Sequence, residues 1–202
     1  MHIQLRRPFV FALAVCITLP LLAAKKPPTA PGKYEAWGPD IDELEIVRTF
    51  KASDYKRVVV EPLDVSKTPP PEDADMAEKV SKVLAEATKP FLEGLAEEET
   101  GLEIASEQKE EKKGTLLVRG RVTTMDPGSR SKRLLIGYGA GAARAAIEGE
   151  LVDAATGEVL LRFTQERRSG VERFGRGSSY EEIMARNLVK LGEDVANILK
   201  QF

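Results

Sequence analysis

The residue types that most often carry out chemistry in proteins are almost absent from this chain of 202 residues. Its only histidine is His2 and its only cysteine is Cys16, and both stand in an N-terminal stretch with the pattern of a removable leader. A chain without imidazole and thiol lacks the usual general base, the thiol nucleophile and the common zinc ligands. We therefore expect no serine triad, no metal site and no cofactor, and we predict that the protein is not an enzyme.

Carboxylates are the remaining candidates, because a glycoside hydrolase needs only two correctly spaced acids. The chain has 32 acids, but no pair stands out by spacing. Residues 72–113 hold 13 acids and 6 bases beside an apolar stripe, which is typical of a solvated helix face. A carboxylate-dependent hydrolase that acts on an envelope polymer remains the alternative function.

A glycine-rich run, Gly137-Tyr-Gly-Ala-Gly141, resembles a phosphate-binding loop, with Arg144 close behind it. Such a loop should follow a strand and open a helix. Here the turn residues Asp126-Pro-Gly128 precede it, an alternating strand follows it, and the lysine-serine pair of a phosphate loop is missing. The glycines therefore predict a bulge, a close backbone approach or a mobile loop rather than a nucleotide site.

The same region is basic. Residues 119–144 carry six basic residues and one acid, Asp126, within an otherwise acidic protein. The alternatives are simple solvation with pairing to the acidic helix, or a docking surface for anionic lipid, an envelope polymer or an acidic partner. The candidate interaction surface comprises these residues: Arg130, Lys132, Arg133, Gly137, Tyr138, Gly139, Gly141 and Arg144.

Residues 115–168 must position that surface, and they predict a three-stranded antiparallel unit. Leu116, Val118, Gly120 and Val122 share one face of the first strand, while Leu117, Arg119, Arg121 and Thr123 share the other. A second strand runs through 147–151 and a third through 159–163. Between them, Asp153 accepts backbone hydrogen bonds and Gly157 supplies a positive φ, as a short hairpin loop requires.

The flanking segments add two more strands and two helices. Val58-Val-Val60 predicts a buried strand, and residues 102–106 a short one. An apolar stripe from Met76 to Leu95 predicts a helix, either kinked at Pro90 or divided into two at Lys89. Ser178 or Ser179 caps a last helix. The predicted fold is α+β, a mainly antiparallel sheet of about five strands with two helices, in the order strand-helix-strand-strand-strand-strand-helix.

The N-terminal residues predict export. Arg6 and Arg7 precede an apolar run that ends at Ala24, which is typical of a secretory signal peptide over residues 1–24. Residues 25–54 are rich in proline and predict a tether, and residues 55–202 form a single domain. Cleavage near Ala24 places the protein in the periplasm, with association with the outer membrane and lipidation at Cys16 left open.

Removal of the leader leaves 28 basic and 32 acidic residues, a net charge of −4, and no cysteine. This balance does not favour nucleic acid as a partner, and it leaves the fold without disulfides. The oligomeric state is open.

Three pieces in this order carry a family resemblance: Asp126-Pro-Gly-Ser with the bases after it, the glycine run, and residues 151–160, Leu-Val-Asp-Ala-Ala-Thr-Gly-Glu-Val-Leu. Together they resemble the bacterial envelope family known as domain of unknown function 4410, over roughly residues 58–202. The resemblance implies an exported protein, often a lipoprotein, and no established catalytic residues. We expect a non-enzymatic envelope accessory protein that binds or scaffolds an envelope protein, a lipid surface or a polymer.

Overall fold

The computed structural model describes residues 26–38, 41–71, 73–107, 112–128, 141–169 and 179–202. The predicted signal peptide, residues 1–24, lies outside them. Seven strands form one sheet in the order β1-β2-β7-β6-β5-β3-β4. The strands are β1 (Gly32–Trp37), β2 (Ile41–Ile46), β3 (Arg57–Val60), β4 (Glu103–Ala105), β5 (Thr115–Asp126), β6 (Ala143–Asp153) and β7 (Val159–Ser169). The helices described are α1 (Ala77–Ala85), α2 (Thr88–Glu97) and α3 (Tyr180–Leu199).

The α+β class is supported, but the predicted sheet of about five antiparallel strands with two helices is wrong. The sheet is mixed, because β3 runs parallel to both β4 and β5 while the other pairs are antiparallel. A helix-containing connection separates β3 from β4, which is what a parallel pair requires.

The two additional strands, β1 and β2, lie in the segment that the sequence analysis assigned to a tether. Strand β2 pairs with β7, and its Ile41, Leu44 and Ile46 are buried in the main core. Their spacing of three and then two, within an acidic stretch, obscures the alternation of a strand. Trp37 at the end of β1 is buried and stacks on Phe202, with ring centroids 6.1 Å apart.

The additional helix arises because the predicted stripe from Met76 to Leu95 is divided between α1 and α2. The chain leaves helical geometry at Glu86, and α2 begins at Thr88. Pro90 therefore lies in the first turn of α2, where a missing backbone N–H costs little. Helix α3 begins at Ser179, whose side chain accepts from the Glu182 N–H in a reciprocal capping box.

All three helices pack on one face of the sheet, and α2 crosses α3 at unusually close range. A Cβ placed on Gly192 would lie 2.1 Å from the carbonyl oxygen of Phe91, and one on Gly94 would lie 1.8 Å from that of Val189. Two glycines thus let the helix backbones touch. This contact brings the buried side chains of both helices over the sheet, among them Phe91, Leu95, Met184, Leu188 and Leu191.

The hairpin between β6 and β7 has the turn that the sequence predicts. The carboxylate of Asp153 accepts from the N–H groups of Ala155 at 2.8 Å and Thr156 at 3.0 Å, and Gly157 has a φ of 74°. The hydroxyl of Tyr55 also donates to Asp153, at 2.9 Å. Partial burial acts to raise the pKa of the Asp153 carboxyl, but the hydrogen bonds from Thr156, Tyr55 and Ala155 outweigh it and lower that pKa.

Replacement of this carboxylate should lower stability at neutral pH but not in acid. We expect Asp153→Ala to reduce the free energy of unfolding by about 1–2 kcal/mol at pH 7, because three donors lose their acceptor. A pKa lowered by folding gives stability that is present above the unfolded value, about 3.9, and is lost as pH falls through the folded value. Urea unfolding at several pH values should show that the difference in unfolding free energy between the two proteins shrinks as pH falls below the unfolded pKa of about 3.9. A difference in unfolding free energy that does not change with pH would contradict this explanation.

A network of polar side chains connects α3 to the sheet near the end of β7. The side chain of Asp194 is 2% exposed and accepts from Gln165 Nε2 at 3.0 Å and from Arg167 Nε at 2.5 Å. The Gln165 amide oxygen in turn accepts from the Asp42 N–H at 2.8 Å. One carboxylate therefore connects α3, β7 and, through Gln165, strand β2.

Among the helices in the described residues, none has both the length and the apolar composition needed to cross a membrane.

Candidate interaction surface

Most of the predicted interaction surface lies outside the described residues: Arg130, Lys132, Arg133, Gly137, Tyr138 and Gly139. The two members that are described, Gly141 and Arg144, lie at the start of β6, where the connection from β5 returns to the sheet. Their geometry defines the base of that connection.

The base of the connection is held by Asp126. One carboxylate oxygen accepts from the Gly128 N–H at 2.8 Å, and the other accepts from Arg144 Nη2 at 2.9 Å. Gly128 and Gly141 both have positive φ, and a Cβ on Gly128 would lie 2.3 Å from the Gly141 carbonyl oxygen. The two ends of the connection therefore touch backbone to backbone at Gly128.

Arg144 is one of the two described members of the candidate interaction surface. Its guanidinium pairs with Asp126 across the β5–β6 pair, where the connection leaves the sheet. The Arg144 side chain is 43% exposed, so its part in the candidate interaction surface stays a prediction.

The face of the sheet opposite the helices is a polar surface within the described residues. We call it the open face. It is built from residues that alternate with the buried ones on five neighbouring strands: Lys33, Glu35, Glu43, Glu45, Arg162, Thr164, Glu148, Glu150, Arg119 and Arg121. The partly exposed residues of this face line an open groove of about 910 Å³.

A continuous series of ion pairs crosses the open face from β1 to the residue after β3. We call it the charge ladder, and positive and negative residues alternate along it in this order: Lys33, Glu45, Arg162, Glu150, Arg119 and Glu61. Arg162 reaches Glu45 at 3.2 Å and Glu150 at 3.9 Å, and Arg119 reaches Glu61 at 3.0 Å. Exposed ion pairs contribute only about 0–1 kcal/mol each, so the fold does not depend on this arrangement.

A second line of residues runs beside the charge ladder and is acidic. We call it the acidic row, and it comprises Glu35, Glu43, Thr164, Glu148, Arg121 and Asp64, all of which line the groove. Arg121 pairs with Glu148 at 2.6 Å. Hydrogen bonds from Ser66, helped by Lys67 and Arg121, hold the pKa of the Asp64 carboxyl below its usual value.

The sequence indicated which side chains of the open face are exposed, but not which strands pair to bring them together. Alternation on the first strand marked Arg119 and Arg121 as exposed, and the turn at residues 153–157 sets the pairing of Glu150 with Arg162. The neighbours across β5–β6 and β2–β7 depend on long connections whose register no local pattern determines. No local pattern in the sequence therefore marks this face as a site.

Large apolar side chains are rare on the surface that the structure describes. Val47, at 42% exposure, is the one large apolar side chain among the described residues that is well exposed. The open face is instead lined largely by charged side chains.

Comparison with known proteins gives a family model match and distant structural matches. The family model described as Domain of unknown function (DUF4410) matches residues 46–171. No curated protein matches the chain.

Three solved structures illustrate the distant matches. PelC from Paraburkholderia phytofirmans, solved as a dodecamer, is 12% identical with a TM-score of 0.43, over 74% of this chain and 96% of that one. The hypothetical protein CT253 from Chlamydia trachomatis is 10% identical with a TM-score of 0.40, over 71% and 98% of the two chains. The lipoprotein GNA1162 from Neisseria meningitidis is 12% identical with a TM-score of 0.30, over 60% and 86%. Similarity at this level transfers no property to this chain.

Proposed function

Since this chain belongs to the family described as domain of unknown function (DUF4410), we propose that it is a non-enzymatic accessory protein of the bacterial envelope that binds a partner protein through its open face. The observation that carries the proposal is the open face itself. Five strands present a concave, ion-paired surface there, while the described helices cover the opposite side.

The export part of the proposal is supported by the sequence. Two arginines followed by an apolar run that ends at Ala24 are typical of a secretory leader. A mature chain that starts near this point contains neither histidine nor cysteine. Binding does not need either residue, whereas most acid–base and nucleophilic catalysis does.

The arrangement of acids in the groove favours binding over hydrolysis. A glycoside hydrolase needs two carboxyl groups that face each other across the scissile bond. In the groove, Arg162 stands between Glu45 and Glu150, and Arg121 is paired with Glu148. Glu35 and Glu43 have no ion-pair partner among the described residues, but they stand side by side on one face of the sheet rather than on opposite walls of a cleft. The groove therefore offers a patterned surface for recognition rather than a pair of acids placed on either side of a substrate bond.

A single added side chain should test the open face. Thr164 lies in the middle of it, directly between Glu43 and Glu148, and loses no ion pair when replaced. We expect Thr164→Arg to obstruct the middle of the groove and abolish partner recovery, while the melting temperature stays within about 2 °C of the wild type because both neighbours are acids. Crosslinking in intact envelopes followed by mass spectrometry measures the recovery.

Ser81→Arg is the matched control, because Ser81 is exposed on α1, on the far side of the sheet. The proposal requires a partner that is recovered with wild type and Ser81→Arg but not with Thr164→Arg. Equal recovery with both variants would show that the open face is not the docking surface. Absence of any reproducible partner, together with turnover of an envelope polymer by purified protein, would instead establish the hydrolase.

A further inference from the structure

Charge is distributed unevenly over the open face. The charge ladder has three bases and three acids and is neutral, whereas the acidic row has four carboxylates and one guanidinium, a net charge of −3. The groove thus has a neutral side and a negative side. A partner that is complementary to the negative side must be cationic.

The excess of negative charge is strongest at the β1 end of the acidic row, where two acids are neighbours. Glu35 and Glu43 are directly opposite each other on neighbouring strands, and both are exposed. Like charges in that position destabilise a sheet. Within the described residues neither carboxylate has an ion-pair partner, in contrast to Glu45 and Glu148 beside them. A cation that docks between them would relieve a repulsion that the free protein retains.

The shape of the groove indicates a chain rather than a single ion. Neighbouring strands lie about 4.8 Å apart, so the row from Glu35 to Glu148 extends over about 14 Å. Among the described residues, no three acids come together in a way that could hold a metal ion. An extended or helical polypeptide with several basic side chains can instead place one cation at each strand.

Resting on the function proposed above, we propose that the partner docks through a lysine- and arginine-rich segment that lies along the acidic row and pairs with Glu35 and Glu43. The neutral charge ladder then borders the bound segment and offers both donors and acceptors to its polar groups. The open face thereby discriminates against acidic segments, which the acidic row repels.

The test measures binding of a fluorescent basic peptide of 12 residues, with alternating lysine and serine, to the full chain by fluorescence anisotropy. We expect saturable binding that weakens at least fivefold for the double variant Glu35→Gln/Glu43→Gln. Binding should also weaken as salt rises from about 50 to 300 mM, because exposed charges are screened. The same peptide with glutamate in place of lysine should not bind.

Glu93→Gln/Glu97→Gln is the matched control, since it removes two exposed carboxylates from α2 on the opposite side of the sheet. If both double variants weaken peptide binding equally, the loss reflects only the net charge of the protein. That result would overturn the assignment of the basic segment to Glu35 and Glu43. Absence of peptide binding would overturn it as well. If either result is found but Thr164→Arg still abolishes partner recovery from envelopes, the open face remains a docking surface. Only the proposal of a basic docking segment is then refuted.

Discussion

Gly192→Ala should destabilise the protein strongly, although the same change usually stabilises a helix. Alanine is favoured over glycine by about 1 kcal/mol in a helix interior. Here the new methyl group would lie 2.1 Å from the carbonyl oxygen of Phe91 and 2.7 Å from the N atom of Leu95, both backbone atoms of α2. Since backbone cannot move aside as a flexible side chain can, α2 and α3 must separate over the core. We expect a loss of about 3 kcal/mol, the upper range for overpacking.

Urea unfolding and thermal melting measure this effect, and a loss of 3 kcal/mol corresponds to about 6–12 °C in a chain of this size. Gly94→Ala should act in the same direction, because its Cβ would lie 1.8 Å from the Val189 carbonyl oxygen. Ser81→Ala on the exposed face of α1 is the control and should change stability by less than about 0.5 kcal/mol. A Gly192→Ala protein as stable as the wild type would show that the helices do not cross at this distance.

The second large effect is expected at Asp194, the buried acceptor of the network beneath α3. In Asp194→Ala, the Arg167 guanidinium and the Gln165 amide lose the carboxylate that receives them. Removal of one partner from a fully buried charged pair costs about 3–5 kcal/mol. Since the Arg167 side chain is 29% exposed, its charge stays only partly desolvated, and the lower end, about 3 kcal/mol, applies here. We expect the unfolding free energy to fall by this amount at neutral pH.

The double variant Asp194→Ala/Arg167→Met separates a lost charge pair from lost packing. Replacement of both partners by apolar groups also removes the partly buried guanidinium that the single variant leaves without its carboxylate. A double-mutant cycle by chemical unfolding should therefore find the double variant more stable than Asp194→Ala alone. Additive losses would mean that the two residues act independently.

The sequence predicted elements whose signals are local. The turn of the β6–β7 hairpin follows from Asp153 and Gly157, and the start of α3 follows from the reciprocal bonds of Ser179 and Glu182. In both cases, residues within four positions of each other make the deciding hydrogen bonds. All five strands that the sequence indicated between residues 55 and 168 are present.

Prediction failed where distant segments decide the structure. Strand β2 is acidic and irregular in pattern, and it is a strand because β7 offers it an edge and the core accepts its three apolar side chains. The parallel pairing of β3 with β5 has no signature within either strand. Pro90 correctly predicted that the helical stripe is interrupted, but the break lies before Thr88 rather than at Lys89 or Pro90. The reason is that α2 tolerates proline in its first turn.

The candidate site shows the same division. Exposure of Arg119 and of Arg121 followed from alternation, but the opposition of Glu35 and Glu43 depends on a strand that was not foreseen. The basic, glycine-rich connection remains a prediction at Arg130, Lys132 and Gly139, since the structure describes only its base. There, Arg144 pairs with Asp126.

The position of β2 in the sheet determines when the fold can be completed. The backbone N–H of Asp42 bonds to a side chain 123 residues later in the chain, so β2 is synthesised long before the strand that receives it. Until β7 joins the sheet, the apolar side chains of β2 lack a complete core to enter, and the β1–β2 hairpin keeps an unpaired edge. A partly folded chain in which β7 has not yet paired is therefore the species most prone to aggregation, whether the chain folds at the ribosome or after export.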